Sequence, residues 1–151
     1  MSKALHRGFT LVELMIAMAV VAILTMMAYP TYTSYIVRSR LTEAFAGLSR
    51  LQQRMDQYYQ DNRSYGTTGA CGIPDVALAA NGSFSFSCTP SNCSGSPVTC
   101  QGFTFAAIGA NAASGFTYTI DEAGTKATTQ TPSGWGPNNT GCWVRDKGGT
   151  C

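Results

Sequence analysis

The chain has 151 residues, a formal net charge of +2 and a single histidine, His6. Ten basic and eight acidic side chains do not make the clustered basic face that general nucleic-acid binding needs. With no histidine beyond residue 6, a Ser-His-Asp or Cys-His site has no base, and neither a G-x-x-x-x-G-K run nor a dinucleotide fingerprint is present.

In chain order, a short basic leader comes first: Met1 to Gly8, with Lys3, His6 and Arg7. Phe9 to Tyr29 comes next, apolar except for Thr10, Glu13 and Thr25. As a helix this stretch would span about 30 Å, enough for the hydrocarbon core of a bilayer. A plain membrane anchor leaves Glu13 unexplained, because an unpaired carboxylate in lipid is costly and tends to mark function. Pro30 then is expected to kink the rod, since proline in a helix interior removes one backbone bond.

An ordinary secretory signal is cut after its apolar core. Here the boundary between basic and apolar residues is itself marked by Gly8-Phe9, with a carboxylate at the fifth position beyond it and an uninterrupted apolar run. In these residues the chain resembles a type IV prepilin, of the PilE-like kind or a minor pilin. The resemblance implies that a prepilin peptidase cuts after Gly8 and that the new amino terminus, Phe9, is methylated. It also implies that Glu13 meets the Phe9 amine of a neighbouring copy during filament assembly. The implied partners are further copies in a helical filament, the inner-membrane assembly machinery and minor pilins. The implied places are the inner membrane before assembly and the bacterial surface pilus afterwards. Cleavage would remove Lys3 and Arg7, leaving eight basic and eight acidic side chains.

From Thr31 to about Asn62 the pattern has the 3.6-residue period of an amphipathic helix. Leu41, Ala44, Phe45, Leu48, Leu51, Met55, Tyr58 and Tyr59 line one side, and Arg38, Arg40, Glu43, Arg50, Arg54 and Asp56 punctuate it. The stripe reads as core, to be covered by the C-terminal half of the chain. Asn62-Arg63-Ser64-Tyr65-Gly66 ends the helix in turn-forming residues. Strands are expected at Ser83–Ser87, Phe103–Ile108, Gly115–Ile120 and Lys126–Thr131, with a short last piece at Trp143-Val144. Cys88 to Gly102, rich in Ser, Pro and Cys, reads as a stapled protrusion. The expected class is α+β: a long N-terminal hydrophobic helix packed on a C-terminal four-stranded antiparallel sheet, the type IV pilin fold. The expected divisions are a leader at 1–8, a transmembrane and filament-core helix at 9–30, an amphipathic helix at 31–62 and a disulfide-stapled β domain at 63–151.

Six cysteines, Cys71, Cys88, Cys93, Cys100, Cys142 and Cys151, lie past residue 70 and read as a disulfide framework made in an oxidising compartment. Cys142 with Cys151 closes a short terminal loop of a kind the resemblance also implies. For the other four, Cys88 with Cys100 and Cys71 with Cys93 is one option among several. Zinc is the competing reading, but Cys88-x4-Cys93-x6-Cys100 lacks the tight C-x2-C spacing. No metal, cofactor or catalytic residue is expected. In the glycine-rich stretch before Cys142, Trp135 is expected to tuck over the sheet.

Two functions lead, ahead of a pseudopilin of a protein-secretion machine and a non-assembling membrane-tethered adhesin. In the first, the chain is the structural subunit of a type IV pilus, polymerising through its apolar helix and supporting attachment and twitching motility. In the second it is a low-abundance minor pilin that acts in assembly or as a DNA receptor for uptake. The footprint available for DNA is Lys126, Arg145 and Lys147, with Trp135 or Trp143 for stacking. Three cations are few.

Overall fold

The structure is a computed structural model that describes residues 8–73 and 82–151, the side chains of residues 28–31 excepted. Residues 1–7 of the expected leader therefore lie outside the described residues. Two compact units are distinguished, Met1–Ile36 and Val37–Cys151.

In the first unit the helix α1, Leu11–Asn62, begins. Thr10 caps it: its hydroxyl accepts the Glu13 N–H at 3.2 Å and its carbonyl accepts the Leu14 N–H at 3.2 Å. Thr10-Leu11-Val12-Glu13 is a capping-box sequence, with the carboxylate three residues after the cap, where it also suits the positive end of the helix dipole. Every large apolar side chain from Phe9 to Met27 is exposed. The helix is long and apolar enough to cross a membrane. Pro30 lies within its range, but the kink expected there falls among side chains outside those described.

The second unit has its core between the later part of α1 and a sheet. Leu41, Ala44, Leu48, Leu51 and Met55 are buried at spacings of three and four, as a helix face requires. The strands are β1 (Gly66–Thr67), β2 (Ala70–Cys71), β3 (Phe84–Ser94), β4 (Thr99–Gly109), β5 (Thr117–Asp121) and β6 (Lys126–Gln130). β3, β4, β5 and β6 form the antiparallel sheet, and the two-residue pair β1–β2 joins it through Gly66 opposite Cys100. Phe84, Phe103, Phe105, Ala107, Tyr118 and Ile120 bring the sheet's share of the core. Burying a large apolar side chain of this kind stabilises by roughly 1.5–3 kcal/mol.

Gly47 makes a close approach between the layers. A Cβ there would collide with the ring of Phe86 on β3. A helix-interior glycine costs about 1 kcal/mol relative to alanine, and here it opens the hollow that the ring fills.

Two expectations need correction. The stretch Cys88 to Gly102 is no protrusion separate from the strands: β3 and β4 pair from Phe84 opposite Gly109 to Ser94 opposite Thr99. Pairing with β4 imposes strand geometry on a Ser-, Pro- and Cys-rich sequence that has little strand preference of its own. Trp143-Val144 is not a strand, although both residues are buried.

The disulfides are Cys71–Cys88, Cys93–Cys100 and Cys142–Cys151. The option of Cys88–Cys100 with Cys71–Cys93 is not the one formed. Cys93 lies directly opposite Cys100 in the hairpin, whereas Cys88 lies opposite Phe105. Five residues of strand separate Cys88 from the position facing Cys100, roughly 16 Å, far beyond the reach of a disulfide. All six thiols are consumed, so none remains as a thiolate ligand.

Candidate functional site

Two groups of predicted residues occupy defined places, one in each unit. At the start of α1, Gly8, Phe9, Thr10 and Glu13 surround one open concavity. Gly8 is exposed, and a Cβ on it would meet nothing within 4 Å, so local packing does not require glycine there. Phe9 projects into solvent and Glu13 is exposed. The cap uses the backbone N–H of Glu13, which sequence reading had not noted; the signal was Thr10 three residues before a carboxylate at the edge of an apolar run.

The second group lies in a groove of about 510 Å³ in the Val37–Cys151 unit. One wall is the edge of α1 carrying Arg38, Thr42, Phe45 and Ser49. Lys126, at the start of β6, and Trp143, Arg145 and Asp146 complete it. The floor is aromatic. Phe45 stacks on Trp143 with ring centroids 5.1 Å apart and planes 5° from parallel, and meets Tyr118 edge-on at 5.0 Å. Cations cover both stacked rings: Lys126 Nζ is 4.8 Å from the Trp143 ring, and the Arg145 guanidinium carbon is 5.7 Å from Phe45. Each such contact adds about 0.5–1 kcal/mol at an exposed site and holds the charge at the groove.

Buried and part-buried hydrogen bonds hold the segment that carries Trp143 and Arg145. The Thr128 hydroxyl donates to Cys142 O and accepts from Val144 N–H, both at 2.9 Å, and Thr128 is 1% exposed. The Tyr118 hydroxyl donates to Val144 O at 2.9 Å, and Trp143 Nε1–H donates to Thr119 O at 2.8 Å. Burial pushes the Tyr118 phenol above its ordinary range, so it remains a neutral donor. Beyond them, Arg145 N–H donates to Thr150 O at 2.8 Å. The Asp146 carboxylate accepts from Gly148 N–H at 2.9 Å, from Thr150 N–H at 3.2 Å and from the Thr150 hydroxyl. These bonds, the Thr150 hydroxyl first, hold its pKa below the usual carboxylate value, with Arg38 adding to the effect.

Of the residues predicted to contact DNA, Lys126 and Arg145 come together, and Lys147 and Trp135 do not join them. Lys147 is exposed but does not line the groove. Trp135 tucks edge-on against Phe116, with ring centroids 4.7 Å apart. Trp143 is only 5% exposed, so its ring offers no free face for a stacked base. Arg38 and Phe45 are among the groove residues that sequence reading did not assign to it. Their signal was the spacing 38, 42, 45, 49 along one helix edge. With three cations, one carboxylate and neither a nucleophilic thiol nor a histidine in its lining, the groove is suited to holding an anion.

Residues 3–29 match the family profile described as "Prokaryotic N-terminal methylation motif". Residues 30–132 match the one described as "Type IV minor pilin ComP, DNA uptake sequence receptor". Among curated proteins, the chain is 34% identical over 84 residues to the fimbrial protein EcpC of Eikenella corrodens, covering 56% of this chain and 54% of that protein. It is 40% identical over 74 residues to a type IV major fimbrial protein FimA of Dichelobacter nodosus, covering 49% and 42%. It is 32% identical over 90 residues to the type IV major pilin protein PilE1 of Neisseria gonorrhoeae, covering 60% and 42%. The chain thus spans about half the length of these curated relatives. The solved structure of the non-core minor pilin PilV of Neisseria meningitidis matches with a TM-score of 0.50, covering 66% of this chain and 93% of that one. At 24% identity, that likeness is one of fold.

Proposed function

Because this chain belongs to the type IV pilin superfamily, and within it to the family described as a minor pilin and DNA uptake sequence receptor, we propose that it is a minor pilin that binds DNA. As a pilin it is a structural subunit and not an enzyme. The match of residues 30–132 to that family carries the reading, and the groove supplies the footprint: Lys126 and Arg145, with Arg38 beside them. The alternative, a bulk subunit supporting attachment and motility, is the lesser reading, because the profile that spans most of the chain is that of a minor pilin.

In this reading the peptidase cuts between Gly8 and Phe9 and the new amine is methylated. The apolar helix holds the protein in the inner membrane until assembly machinery moves it into a pilus outside the cell. There, burial of the helix among neighbouring rods supplies about 25 cal/mol per Å². Glu13 pairs with a neighbouring Phe9 amine, and the groove meets the phosphate backbone of DNA.

The test is equilibrium binding of labelled duplex DNA to the full chain in detergent micelles. Affinity is expected to fall steeply between about 50 mM and 200 mM salt. Replacing Arg38, Lys126 and Arg145 together by glutamine should weaken binding and reduce the salt slope by about 3. No binding at low salt would remove the proposal.

A further inference from the structure

We infer that Asp146 limits how tightly the groove holds DNA, acting as a negative charge fixed among the cations that meet the phosphates. The inference rests on the DNA-binding reading and specifies what regulates affinity at that site.

Arg38, Lys126 and Arg145 line the groove with one acidic residue, Asp146. Among the described residues the ion pair within 4 Å is Arg40–Glu43, at 2.9 Å, away from this lining. The groove cations are therefore not neutralised by contact, and Asp146 acts on them through space. Its carboxylate cannot readily swing aside. Oδ1 accepts the N–H groups of Gly148 and Thr150, and Oδ2 accepts the Thr150 hydroxyl. A phosphate entering the groove meets three attractive charges and one repulsive charge held in a fixed place.

A purely structural role is the competing account, since the same bonds build the turn. The two separate cleanly, because asparagine keeps an Oδ1 acceptor for both N–H groups while losing the charge. Duplex binding is measured for the full chain in micelles. Asp146→Asn is expected to bind about fivefold tighter near 50 mM salt, the gain fading as salt screens the groove. Thr150→Val, which removes the hydroxyl donor but leaves the charge, should bind no tighter than wild type. Ala46→Asp places a second carboxylate on the exposed helix wall without touching the turn, and should weaken binding by a similar factor. Wild-type binding with no gain in Asp146→Asn and no loss in Ala46→Asp would overturn this inference alone. A wild-type protein that fails to bind DNA at low salt would overturn the DNA-binding reading along with it.

Discussion

Between Phe9 and Met27 the large apolar side chains are 49–81% exposed, whereas in the Val37–Cys151 unit Leu41, Leu48, Met55, Phe103, Phe105, Phe116, Tyr118 and Ile120 are all but sealed from solvent. The same helix contributes to both situations. The difference lies in the cover each part receives: the later part of α1 packs under a sheet, while the earlier part has no covering among the described residues. One helix can therefore carry a stretch that its own chain buries and a stretch apolar and long enough to cross a membrane. The first region turns its apolar side chains outward, and the second buries its own.

The largest effect expected is on the first region. Glu13→Gln keeps a residue that can serve a capping box but removes the charge proposed to answer a neighbouring amine. If the charge matters, filament yield in sheared preparations should collapse while membrane insertion persists, because leaving one partner of a buried pair unpaired costs roughly 3–5 kcal/mol. If the cap alone matters, yield should be normal.

Next comes the second region. Leu48→Ala removes a fully buried side chain between α1 and the sheet and should cost about 2–5 kcal/mol, read as a lowered thermal midpoint. A negligible shift would mean that this region too depends on partners.

Thr128→Val should cost about 1–3 kcal/mol, since Cys142 O and Val144 N–H lose their shared buried partner. Faster amide exchange at Val144 is the readout, and Thr128→Ser should restore protection.

The smallest effect is a local response to acid. The folded state lowers the pKa of Asp146, so its contribution is fully present above the ordinary carboxylate value and is lost as pH falls through the lower folded-state value. The Thr150 amide should lose protection in acid before the sheet amides do, and Asp146→Asn should lack that response.

Much of the second region could be read from residue patterns. The spacing of Leu41, Ala44, Leu48, Leu51 and Met55 announced a buried helix face, and alternation announced β3, β4 and β5 at their core ends. Reading failed where tertiary pairing overrides composition. Pro90, Asn92 and two cysteines look like a loop, and Asn92 has a left-handed backbone with φ 51°, yet β4 holds the stretch as strand. The groove was half legible. Lys126 and Arg145 stood out as charges near aromatic residues, but Arg38 could join them only once the rotation of the helix was known. The Thr128 hydroxyl meets Cys142 and Val144 across 14 and 16 residues of chain, a contact that leaves no periodic trace.

The hollow at Gly47 has a consequence for that rotation. With the Phe86 ring seated against bare backbone, this rotation of the helix puts no side chain between α1 and the ring. Turning it by one residue would present a side chain to the ring and would swing Arg38 and Phe45 away from Lys126 and Arg145. One missing methyl group thus lets the helix and the sheet approach closely on the face whose far edge carries Arg38 and Phe45.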